Sequence, residues 1–230
     1  MLIGKDLLQV RTALVCFYVL RDEQGLYLID TGFVGGRRSL QRALKEYGWE
    51  ELPILGVLLT HGHLDHIFNV RPIIEESGAW VAGSEADLAH FEGKASYSGV
   101  GKGVGWLEEM AKRIFGFEPF APDRFLREGD LLEIWGGLEV ISLPGHTRGH
   151  VGFYSASRRL IFCGDLFASM ERFSHLPPLF FNEDSAQNVG SIERVLALEL
   201  NGVCPHHCDS ASVEEHLIAL RSVFSRANQT

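Results

Sequence analysis

Hydrophobic and polar positions divide this chain into a long series of strand and helix signals. Residues 13–20 and 26–29 are apolar and rich in β-formers, and the polar stretch Arg21-Asp22-Glu23-Gln24-Gly25 between them predicts a hairpin. The second run ends in Asp30-Thr31-Gly32. The glycine pair Gly35-Gly36 follows, and then 37–47, where Leu40, Ala43, Leu44 and Tyr47 recur at helical spacing. Residues 54–59 are uninterruptedly apolar and read as a buried strand, after which Ile67, Val70, Ile73 and Ile74 predict a helix that stops near Gly78. A short strand over 79–82, a helix over 84–92, a glycine-rich stretch over 93–105 and a helix over 106–115 come next.

From Asp123 onward the pattern turns to strands, at 125–126, 131–134, 138–143, 151–154 and 160–163, with glycine-bearing turns between them. Helices over 187–200 and 213–224 close the chain around a short strand at Val203-Cys204. Strands with helices, occurring twice, predict two sheets face to face with helices outside. The runs 26–32 and 160–165 echo one another, each a hairpin strand ending in aspartate, although strands ending in aspartate are common without any relation between halves.

Composition narrows the class. Of 230 residues 46% are hydrophobic and 22% charged, the balance of a soluble globular enzyme, and the length suits one domain spanning 1–230. The formal net charge of -9 opposes a general nucleic-acid partner, and no apolar run is long enough for a membrane span. A small-molecule substrate and a cytoplasmic location are expected, with homo-oligomerisation left open. Four cysteines, Cys16, Cys163, Cys204 and Cys208, are too few for a disulfide framework and are expected to be mostly small buried hydrophobes. The sequence Cys204-Pro205-His206-His207-Cys208 also admits a separate small zinc site.

The chemistry is concentrated in Thr60-His61-Gly62-His63-Leu64-Asp65-His66, directly after the buried strand. Three imidazoles and a carboxylate within one turn suit zinc, iron or manganese, whereas the plain alternative is a solvated histidine-rich turn. His146 lies in the glycine-bounded Pro144-Gly145-His146-Thr147-Arg148-Gly149-His150, Asp165 follows Gly164, and His207 follows Cys204-Pro205. Each stands just after a predicted strand, as His61 does. Alone, any of them could be structural. An aspartate there caps turns readily.

Together, His61-x-His63-x-Asp65-His66, Gly145-His146-Thr147-x-Gly149-His150, Gly164-Asp165 and Pro205-x-His207 resemble the metallo-β-lactamase-fold hydrolase superfamily, in its order and spacing, and are most similar to its glyoxalase II-like branch. The resemblance implies a four-layer αβ/βα sandwich, an α/β (α+β) fold of two mixed sheets with helices outside, carrying two divalent metal ions at one edge. It implies that His61, His63 and His146 hold one ion, that Asp65, His66 and His207 hold the other, and that Asp165 bridges them. Zinc is the expected metal, and iron or manganese suits the same donors. Asp30 and His150 are expected to orient ligands by hydrogen bonds.

The expected reaction is hydrolysis of an ester, thioester or lactone of a small molecule by a hydroxide shared between the ions, with Asp165 orienting the nucleophile and Asp65 passing a proton to the leaving group. Two features depart from well-known members. Glyoxalase II proper carries a further helical domain that helps bind glutathione, whereas this sequence ends about one helix beyond His207, and classical metallo-β-lactamases have cysteine where Asp165 stands. Related branches offer a mononuclear iron persulfide dioxygenase or an RNA-processing nuclease as alternatives. Finally, 166–184 contains Pro177-Pro178 followed by Leu179-Phe180-Phe181, which predicts an irregular loop over the site. Phe180 and Phe181 are the expected substrate wall, against a dimer contact or a fold-back onto the core.

Overall fold

A computed structural model describes residues 1–13, 15–95, 102–170 and 173–228. The first sheet has seven strands in sequence order: β1 (Leu2–Gly4), β2 (Leu7–Arg11), β3 (Cys16–Arg21), β4 (Leu26–Ile29), β5 (Ile54–Leu58), β6 (Trp80–Ser84) and β7 (Arg124–Leu126). Strands β1 to β4 pair antiparallel, and β4 to β7 pair parallel. Parallel neighbours need long crossovers. These are α1 (Gly36–Glu46), then α2 (Leu64–Ile67) with α3 (Val70–Ser77), then α4 (Leu88–Phe91) with α5 (Lys102–Phe115).

The second sheet runs β14-β11-β10-β9-β8, from β8 (Leu131–Leu132), β9 (Leu138–Ser142), β10 (Val151–Ser155), β11 (Leu160–Gly164) and β14 (Gly202–Pro205). Only β11 and β14 are parallel there, joined across α6 (Ser185–Leu196), and α7 (Val213–Ala227) closes the chain.

Side-chain alternation makes the layers. Along β4, Tyr27 and Ile29 face the second sheet, where they join Tyr18, Phe153 and Phe162, while Leu26 and Leu28 face Leu40, Leu44 and Ile73 of the helices. Along β11, Leu160 and Phe162 face inward, and Ile161 and Cys163 pack on Ile192, Leu217 and Leu220. Both faces of these strands are buried, so they read as unbroken apolar runs. The result is the αβ/βα sandwich of four layers. No helix among the described residues is long and apolar enough to cross a membrane.

Several boundaries differ from the sequence expectation. Strands β1 and β2 were not signalled, because Lys5, Asp6 and Gln9 interrupt their apolar pattern. The first hairpin strand begins at Cys16 rather than residue 13, since Thr12 turns back to hydrogen-bond Val15 through both its backbone N–H and its hydroxyl. Helix α5 starts inside the glycine-rich stretch, of which 96–101 lies outside the described residues. Helix α6 starts at Ser185 because Asp184 accepts a hydrogen bond from the Gln187 amide as its N-cap. Within 166–184 the loop is not helical in the α sense, as expected, yet it holds the hairpin β12 (Ala168–Met170) and β13 (Phe173–His175) and a single 3-10 turn at Leu179–Phe181.

Candidate metal centre

The C-terminal ends of β4, β5, β9, β11 and β14 converge on one edge of the sandwich, bringing Asp30, the 60–66 segment, His146, Asp165 and His207 together. The chain leaves β5, passes His61, is extended at His63 and then enters α2, whose first turn carries Asp65 and His66. Gly164 has φ 53°, and a Cβ there would fall 2.3 Å from His150 Nε2, so glycine alone lets the chain turn Asp165 into the site.

The donors form two separate groups, with Asp30, His61 and His66 a third that shares a member with each. The ligand atoms of His61, His63 and His146 lie within 4.8 Å of one another, and so do those of Asp65, His66 and His207. Asp165 stands between the groups. Its Oδ2 lies 3.4 Å from His146 Nε2, 4.0 Å from His61 Nε2 and 3.0 Å from His207 Nε2, and its Oδ1 lies 3.2 Å from His66 Nε2. His207 Nε2 is also 3.2 Å from Asp65 Oδ2.

Buried groups of this kind show what the site is suited to hold. The Nε2 atoms of His61, His66 and His146 and Oδ1 of Asp165 are buried and make no hydrogen bond to another protein group, although protein interiors rarely leave such atoms unsatisfied. Burial, aided by neighbouring imidazoles, holds His61 and His63 well below the ordinary imidazole range, which keeps them neutral and able to donate a lone pair. Burial opposes charge on His207 and His66 as well. There Asp165, with Asp65, prevails, raising His207 to about 11 and His66 well above its usual range. Burial pushes Asp65 upward too, but His66 and His207 outweigh it and hold the carboxyl at about 2. Protons thus balance the carboxylates when no cation does. Imidazole and carboxylate donors in this arrangement fit divalent ions.

Ligand orientation is built into the frame. Asp30, fully buried, accepts hydrogen bonds from the Thr60 amide (2.8 Å), the Thr60 hydroxyl (2.6 Å) and His66 Nδ1 (2.8 Å). His61 Nδ1 lies 3.0 Å from the same hydroxyl, so Asp30 steers His66 directly and His61 through Thr60. His146 Nδ1 lies 2.8 Å from Asn182 Oδ1.

A sequence model described as Metallo-beta-lactamase superfamily matches residues 14–207. The chain belongs to that superfamily. It is 34% identical over 157 residues to the hydroxyacylglutathione hydrolase GloC of Haemophilus influenzae, an alignment covering 66% of this chain and 65% of that protein. Among solved structures, the subclass B3 metallo-beta-lactamase BJP-1 of Bradyrhizobium japonicum superposes with a TM-score of 0.72 at 19% identity, over 100% of this chain and 92% of that one. The protein TTHA1623, solved in a di-iron-bound form, gives 0.66 at 26% identity, over 90% of this chain and 95% of that one.

Within this metallo-β-lactamase edge the two adjacent histidines part company. His207 reaches the donors, whereas His206 is fully buried behind them, with Nε2 3.1 Å from Asp30 Oδ2. His150 differs from expectation. Neither of its ring nitrogens hydrogen-bonds a protein group, and it packs instead against the His61 ring at 5.2 Å and beside Gly164. The alternative zinc site at Cys204-Cys208 does not assemble among the described residues. Cys204 is buried in the intersheet core, and Cys208 Sγ sits 3.1 Å from Cys16 Sγ while accepting a hydrogen bond from Gln9 Nε2. All four thiols are buried and unbridged, as expected.

Three residues in the frame escaped the sequence reading: Thr60 as a relay, Asn182, and Asp87. Asp87 follows β6 at the same edge and is fully buried. It accepts hydrogen bonds from the Gly62 amide (2.8 Å), the Thr147 hydroxyl (2.7 Å) and the Gly149 amide (2.8 Å), tying the two histidine-bearing loops together. A Cβ on Gly149 would come within 2.6 Å of its carboxyl carbon. The one available signal was its place just past a parallel strand.

Over the donors lies a cavity of about 590 Å³. Asp65, His146, Asp165 and His207 reach it, and its walls include Phe33, Leu107 and Ala111 of α5, Met170, Phe180 and Phe181.

Proposed function

We propose that this chain is a metal-dependent hydrolase that cleaves an ester, thioester or lactone of a small molecule bearing a hydrophobic portion. The observation that carries the proposal is the carboxylate of Asp165 standing between two donor triads. On this reading His61, His63 and His146 would hold one divalent ion and Asp65, His66 and His207 the other, with Asp165 placed to serve both. The hydroxyacylglutathione hydrolase relative supports a hydrolytic reaction, and the di-iron form of TTHA1623 supports two ions. Zinc remains the expected metal, and the donor set admits iron or manganese.

Two ions held there would supply a water of lowered pKa and a Lewis acid for a carbonyl oxygen. The chain's own residues do the rest. Asp165 orients the attacking water. Asp65 faces the cavity, where its carboxylate can accept a proton during attack and return it to the leaving group. The apolar walls bind the non-reacting part of the substrate and keep water away.

Elemental analysis tests the metal reading: protein purified without chelators is expected to carry about two ions per chain, because seven donors exceed what one tetrahedral ion takes. One tight iron and no second ion would overturn it in favour of persulfide oxidation.

A second expected result concerns the substrate. Across esters, thioesters and acyl lactones of rising chain length, kcat/KM should rise by up to about fourfold per methylene, the value of burying one CH2 at about 0.8 kcal/mol. Phe180→Ala should flatten that rise and leave metal content unchanged. A flat series in the wild type, or activity confined to glutathione thioesters, would refute the assignment of the wall.

A further inference from the structure

We infer that Asn182 is a positioning residue for His146, and that through it the segment forming the apolar wall also sets how tightly the His61, His63 and His146 triad holds its ion. The inference rests on the reading that this triad binds metal. His146 Nδ1 lies 2.8 Å from Asn182 Oδ1, which fixes Nδ1 as the protonated nitrogen and leaves Nε2 to face the triad. The amide of Asn182 is itself oriented, because its Nδ2 donates to Ser185 Oγ at 3.1 Å and to the Pro177 carbonyl at 3.4 Å. Only the oxygen is then left for the imidazole.

The backbone makes the link rigid on both sides. The Glu183 amide donates to the His146 carbonyl and the Asp184 amide to the Gly145 carbonyl, at 3.1 and 2.8 Å. On the other side, the Phe181 amide closes on Pro178 at 2.9 Å and the Asn182 amide on Leu179 at 3.3 Å, so the turn bearing Phe180 and Phe181 runs directly into Asn182. His61 and His66 take their orientation from Thr60 and Asp30, which belong to the buried sheet edge, whereas His146 takes it from the residue directly after the cavity-lining Phe180 and Phe181.

The test uses Asn182→Leu, which keeps the bulk and removes the acceptor, and Asn182→Asp, which keeps the acceptor. In chelator-competition titrations of the metal-free protein, N182L is expected to weaken one of the two ions about 10- to 100-fold and leave the other unchanged, with N182D restoring the lost affinity. Nitrogen-15 NMR of the metal-free wild type should show His146 protonated at Nδ1, with that preference lost in N182L. If folded N182L binds both ions as the wild type does, or if wild-type His146 carries its proton on Nε2, the positioning role is overturned; the second readout decides even if N182L fails to fold. A wild type that binds no ion, yet shows the Nδ1 proton, would overturn the metallohydrolase reading and leave the Asn182 contact standing.

Discussion

Asp165→Ala is expected to lower kcat/KM on the order of 10³-fold, the largest single-residue loss at the site. The reason is position: its two oxygens lie against His66, His146 and His207, donors from both triads, so on the proposed reading its removal would disturb whatever both triads hold. Losing several kcal/mol of transition-state stabilisation corresponds to a rate loss of about that size. The control is His206→Ala, one residue from the candidate ligand His207. His206 is turned away from the cavity onto Asp30, so its truncation should leave metal content near normal and appear as a loss of stability of about 1–3 kcal/mol. Steady-state kinetics with elemental analysis on both variants checks this. A reversal, with H206A inactive and D165A active, would mean that the ligand assignment is wrong.

The second large effect is expected at a residue outside the candidate ligand set. Asp87→Ala removes the acceptor for the Gly62 and Gly149 amides and the Thr147 hydroxyl, all buried, and each stranded donor costs about 1–3 kcal/mol. Allowing for relaxation, the fold should lose roughly 3–5 kcal/mol. Denaturant unfolding of the metal-free chain measures it without interference from bound ions. Because the same carboxylate fixes the loops of His61 and His63 on one side and His146 on the other, metal retention should fall as well. A variant as stable as the parent would show that the three donors find water instead.

What could be read from the residues alone, and what could not, follows from how far each signal reaches along the chain. Strands β4, β5 and β11 were legible because burial on both faces leaves unbroken apolar runs, and the candidate donors that the fold brings together were legible because histidines and aspartates after such runs are chemically conspicuous. Strand β2 was not, because it contains Gln9, a polar side chain buried by donating to Cys208, a partner 199 residues away that no local pattern reveals. Asp87 and Asn182 were missed for the same reason. Each is an ordinary residue in an ordinary turn, and its role exists only once loops 25 to 62 residues distant, or 36 in the case of Asn182, arrive beside it.

The two sides of the cavity differ in a way that matters for laboratory evolution. The wall at Phe180 and Phe181 is one turn from Asn182 and so from His146, while the wall at Leu107 and Ala111 belongs to α5, which supplies no donor to either triad. Libraries that diversify 107 and 111 should therefore yield a larger fraction of metal-loaded variants than libraries of equal size at 180 and 181, where residues that break the turn, unlike the single change Phe180→Ala, displace Asn182; metal content in purified pools scores this. Adaptability to new substrates would then be concentrated on the helix, and the aromatic turn would be the part of the cavity that drifts least.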